Sequence, residues 1–114
     1  MLQQPKDMNT VLTAFFEALA KRDRAAVFKM FAAEATLTDF EGSVRRAIAI
    51  EGFFKDWPPP TMQVKVGKQT VSGSSANVTL ELVGGGFNKP AEALATFQTN
   101  ERWLIRFLRL ELAR

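Results

Sequence analysis

In the stretch FAAEATLTDFEG, residues 31–42, Ala35, Leu37 and Asp39 recur at every second position, so an extended chain places a carboxylate on the same face as two apolar side chains. A carboxyl group drawn into such surroundings loses hydration. That disfavours its charged form and moves its pKa up toward values useful for proton transfer. Three uses are open to it. Asp39 could act as a general base without a histidine; it could stay ionised and orient a ligand carrying an amine or hydroxyl; or, beside the turn signal Glu41-Gly42, it could reach water and serve structure alone. The apolar surroundings would come from Phe15, Leu19, Leu37, Phe53, Phe54 and Trp57, and Ala93, Ala95 and Phe97 share a later strand face on which the two alanines could leave space for a ligand or let a helix pack closely. Trp57, before three prolines, and Phe87, after three glycines, are the candidates for a pocket mouth or lid.

Composition narrows the chemistry further. Among 114 residues there is no histidine, cysteine or tyrosine. Imidazole acid-base catalysis, thiolate nucleophiles, disulfides, the usual zinc ligands and phenolic proton donors are therefore excluded, and neither a metal nor an organic cofactor is expected. Arg106, flanked by Leu104 and Leu108, could pair with Asp39 or sit in an ion pair at a dimer rim. The run Gly84-Gly85-Gly86 is no phosphate loop, since no lysine with serine or threonine comes after it at the required spacing. Net charge is +3, from 15 basic and 12 acidic residues scattered without a block, so nucleic acid is not an expected partner. No run approaches the ~18 apolar residues of a membrane span, and MLQQPKDMN lacks a leader's apolar core, so a cytoplasmic protein is expected.

The elements that must position these groups are set by periodicity. Asp7 can cap a helix with Val11, Leu12, Phe15, Phe16 and Leu19 at helical spacing, and Asp23 a second with Val27, Phe28, Met30 and Phe31. After Glu34 the period becomes two through Thr38. Ser43 is expected to open a third helix that Pro58-Pro59-Pro60 stops. Four strands come next: one from Thr61 with a slip of phase near Gly67, one over Ala76–Leu82, one over Ala91–Thr99, and one from Arg102 to about Leu112. Helices first and strands after predict a single α+β domain, with three helices on one face of a mostly antiparallel sheet. In the last strand Trp103, Ile105 and Phe107 share one face while Leu104, Leu108, Leu110 and Leu112 share the other. Both faces then want burial, which predicts a homodimer through the sheet; a second bulge that swaps faces is the alternative.

The helix–helix–strand segment of residues 8–43, with its ALxxxD turn, FAxEA junction and LTDFEG strand end, resembles the nuclear transport factor 2-like superfamily, in its ketosteroid isomerase-like and SnoaL-like branch. The closing strand NERWLIRFLRLEL adds a weaker likeness. The resemblance implies a cone-shaped, cystatin-like domain around an apolar pocket that takes a small hydrophobic or polyketide-like ligand. In the isomerase of that family a strand-end carboxylate moves a proton beside a carbonyl, while a tyrosine and a protonated aspartic acid hold the oxyanion. Carried onto this chain, the base position is Asp39, the tyrosine position is Phe15, and the second donor falls near Ala95. The base is kept and both donors are lost, each often worth a factor of ~100–1000 in rate. The expectation is accordingly a pocket protein without catalysis, a cofactor-free isomerase, cyclase or dehydratase using Asp39, or an interaction domain whose pocket its own side chains fill.

Overall fold

Helix α1 (Met8–Ala20) starts because Asp7 is extended and its side chain accepts the Thr10 backbone N–H at 2.8 Å. Its buried face is Met8, Val11, Leu12, Phe15 and Leu19. The helix stops at Arg22, which adopts the left-handed conformation (φ 55°), while the N–H of Asp23 closes on the Ala18 carbonyl. Asp23 then caps α2 (Arg24–Lys29) by accepting from the Ala26 N–H at 3.1 Å. The computed structural model describes residues 7–113. Residues 1–6, which belong to the amino-terminal stretch expected to lack a leader, lie outside the described residues.

Strand β1 (Phe31–Thr38) begins earlier than its alternation suggests, so Phe31 belongs to the sheet and not to the second helix. The expectation of a helix from Ser43 is corrected. Residues Val44–Arg46 form β2, antiparallel to β1 with Leu37 opposite Arg45, and α3 (Ile48–Asp56) starts only after Ala47 breaks the chain at φ 48°, ψ −121°. The cause lies in the turn. Asp39 collects the N–H groups of Glu41 and Ser43, and the Asp39 N–H donates to the Ser43 carbonyl, which closes a hairpin where a helix would have to begin.

Strands β3 (Met62–Ser72), β4 (Ser75–Gly84), β5 (Ala91–Thr99) and β6 (Ile105–Leu112) complete one six-stranded sheet in the order β2-β1-β6-β5-β4-β3. Only β1 and β6 run parallel; the other neighbours are antiparallel. The slip foreseen near Gly67 is present as a register shift between Val66 and Gln69. A side chain at Gly67 would put its Cβ 2.6 Å from the Thr79 hydroxyl, so the bulge requires glycine. The buried faces of α1, α3 and the strands form one apolar core.

The last strand corrects the two-faced burial expected of it. Trp103 and Leu104 precede the strand, in a turn where Asn100 Oδ1 accepts the N–H groups of Arg102 and Leu104. Thr99 pairs with Ile105 but Gln98 pairs with Phe107, leaving Arg106 as an extra residue. This bulge shifts the alternation by one. Ile105, Leu108 and Leu110 consequently all lie in the core, and Phe107 turns to the outer face. Leu108 and Leu110 are thus unavailable to a second subunit. No helix among the described residues is long and apolar enough to cross a membrane.

Candidate functional site

Asp39 lies one residue past β1 on the same side as Ala35 and Leu37, and only 5% of it is exposed. Residues opposite one another in an antiparallel pair share a face, so Arg45, opposite Leu37, is brought diagonally against Asp39. Arg45 Nε donates to Asp39 Oδ2 at 2.9 Å. The backbone N–H groups of Glu41 and Ser43 each donate to Oδ1 at 3.0 Å. Burial pushes this carboxyl up, but the hydrogen bond from Arg45, those from Ser43 and Glu41, and the Arg45 charge together outweigh it, so its pKa lies below the ordinary value. The direction is opposite to that expected from an apolar face alone. Arg45 also carries its guanidinium carbon 5.4 Å from the centre of the Phe53 ring, which stacks on Trp57 at 5.7 Å.

The carboxylate is therefore an ionised acceptor closing a hairpin, with Arg45 and not Arg106 as its partner. Arg106 is exposed at the β6 bulge. Nothing in the run SVRR marks Arg45 for this role. Its signal would have been the pairing of β2 with β1, which depends on the turn that Asp39 itself organises.

The aromatic residues expected around Asp39 divide into groups. Phe15, Leu37, Ala95 and Phe97 are closed in the core at 0–2% exposure. The Phe15 ring lies 5.2–6.3 Å from those of Phe16, Phe31, Phe54 and Phe97, so these side chains fill one another's surroundings. Phe53, half-buried, sits between Arg45 and Trp57. Phe87 is 39% exposed in the β4–β5 connection. Leu19, Phe54 and Trp57 border open space at the carboxy-terminal end of α1.

That space consists of two adjoining clefts that share Leu19, Arg22 and Pro58. The larger, about 310 Å³, opens between Phe16, Leu19 and Ala20 of α1 and Met62, Gln63 and Val64 of β3. The smaller is a crevice running to Arg24, Val27, Phe54 and Trp57. Arg22 spans them: its Nη1 donates to the Pro58 carbonyl at 3.1 Å, and its Nη2 to those of Pro60 and Met62 at 3.4 and 2.9 Å. No feature of the sequence singled out Arg22, because its reach to the α3–β3 connection spans 36 to 40 residues.

Neither a protein-family model nor a curated protein matches this chain. Solved structures do. A protein from Sphaerobacter thermophilus superposes with a TM-score of 0.83 at 20% identity, over 96% of this chain and 99% of its own. The chain has the nuclear transport factor 2-like fold. An NTF2-like protein of unknown function from Cytophaga hutchinsonii gives 0.76 at 15% identity, covering 97% and 95% of the two chains. A hypothetical protein with a ketosteroid isomerase-like fold from Catenulispora acidiphila, in complex with trimethylamine, gives 0.73 at 19%, covering 88% and 82%. On this NTF2-like scaffold the two positions that the resemblance assigns to oxyanion donors, Phe15 and Ala95, carry no donor and are both buried.

Proposed function

We propose that this NTF2-like chain is a non-catalytic binder of a small apolar molecule, held in the cleft between the end of α1 and the start of β3. The observation that carries this reading is the state of Asp39. Its two oxygens already accept three hydrogen bonds, one from a guanidinium, so its basicity is low even though it borders a surface cleft of about 260 Å³ with Arg109 and Glu111. A cleft with mixed polar and apolar walls, the apolar part contributed by Phe16 and Val64 over buried Leu19 and Met62, provides about 310 Å³, at the lower end of ligand sites, roughly 300–1,000 Å³.

The test uses the neutral fluorophore N-phenyl-1-naphthylamine, whose emission rises in apolar surroundings. Emission should rise on binding, vanish in Ala20→Trp, which fills the cleft from an exposed helix position, and persist in Asp39→Asn. Binding indifferent to Ala20→Trp would sink the reading. Solvent deuterium incorporation into a bound ketone, lost in Asp39→Asn, would favour the isomerase alternative.

A second reading is favoured by the ring packing around Phe15: an interaction domain whose interior is filled by its own side chains. Its partner would be a second copy, seated on the outer sheet face. There Thr36, Phe107 and Gln98 lie in one cross-strand row, and Leu94 stands beside Thr79 in another.

A further inference from the structure

Resting on the cleft reading, we infer that the ligand is an anion: an apolar chain or ring system ending in a carboxylate, received by Arg22 with Arg24. Three features of the cleft support this. Arg22 is held in the left-handed region, unfavourable for a residue with a Cβ, and from there its side chain reaches across the α3–β3 connection. Its anchors are three main-chain carbonyls, which fix the guanidinium in place without neutralising it. Those carbonyls use three of its five N–H donors and leave two for a ligand.

The charge balance of the walls points the same way. Among the described residues neither Arg22 nor Arg24 is ion-paired with a carboxylate, and no aspartate or glutamate lines either cleft. Arg22 borders the larger cleft beside Phe16 and Val64, and Arg24 lines the adjoining crevice of about 10 Å³, so the two cations stand at one end of a cleft that would hold the apolar body. A carboxylate there gains charge-assisted hydrogen bonds from a guanidinium that needs no reorganisation on binding. A neutral ligand of the same shape would use only the apolar wall.

The experiment compares 11-(dansylamino)undecanoic acid with its methyl ester by dansyl fluorescence titration at pH 7 and low salt. The acid should bind at least tenfold more tightly than the ester. Arg24→Gln, at an exposed position, should remove part of that preference, and Arg22→Gln with Arg24→Gln should make acid and ester bind equally when both are measured in that variant. Arg24→Gln alone leaves the carbonyl clamp of Arg22 intact, so its result does not depend on how the double variant folds. Equal affinities for acid and ester, or a preference that survives the double variant, would overturn the anion inference and leave the apolar cleft standing. If neither probe binds, the cleft reading fails with it.

Discussion

Asp39 shows how one neighbour reverses the expected behaviour of a residue. Its pKa is lowered in the folded protein, so folding favours its ionised form. Its contribution to stability is therefore fully present above the ordinary carboxylate value of 3.8 and is lost as pH falls through the lower folded value. Asp39→Asn should cost about 1–3 kcal/mol at pH 6, less than breaking a fully buried pair, because 37% of the Arg45 side chain meets solvent. Urea denaturation at pH 6 and pH 3 should show the gap between wild type and variant narrowing at the lower pH; a gap independent of pH would refute the ion-pair account. Comparison with the variant matters, since Asp7, also lowered chiefly by the Thr10 N–H, titrates in the same direction. A second residue-scale expectation concerns Ala47, exposed at φ 48°, ψ −121°, a region in which an L side chain is strained. Ala47→Gly should raise stability by about 1 kcal/mol, partly offset by the flexibility glycine adds to the unfolded chain. An unchanged or lower thermal midpoint would count against it.

At the scale of elements, bulges decide which side chains face the core. The extra residue Arg106 lets Ile105, Leu108 and Leu110 share the inner face although their spacing is three and then two. Deleting Arg106 should restore strict alternation and turn one side of this set outward. With core leucine losses worth about 2–5 kcal/mol each, the variant should lose its cooperative thermal transition by circular dichroism. A deletion variant that melts like wild type would show that the inward set does not depend on the bulge. The β1–β2 hairpin is the other decisive element. By closing on Asp39 it puts Arg45 over Phe53 and delays α3 to Ile48, which sets where Trp57 and the proline run meet the end of α1.

At the scale of the whole molecule, the outer sheet face is where the second reading places a second copy. With Leu108 and Leu110 turned inward, the proposed dimer rests on half-buried Thr36, Thr96, Gln98, Leu94 and Phe107 around the strand centres. Sedimentation velocity should show a dimer that Phe107→Glu converts to monomer, because a charge at the middle of such a face must be desolvated on association. A monomeric wild type would remove the interaction-domain reading and leave the cleft as the functional surface. Much of the architecture arises from local chemistry that the chain carries along its length. Asp7 and Asp23 can each cap only the helix directly after them, helical spacing selects the α1 face, alternation selects the inner face of β4 and β5, and the step at Gly67 marks its own bulge. The special position of Asp39 was also legible, since alternation alone sets it on the inner side. Its charge state was not, because Arg45 reaches it only across a strand pairing. Nor were the swap of faces at Arg106 or the clamp of Arg22, for the same physical reason: each is fixed by a partner distant along the chain or by a register that several strands settle together, and no periodicity within one segment records either.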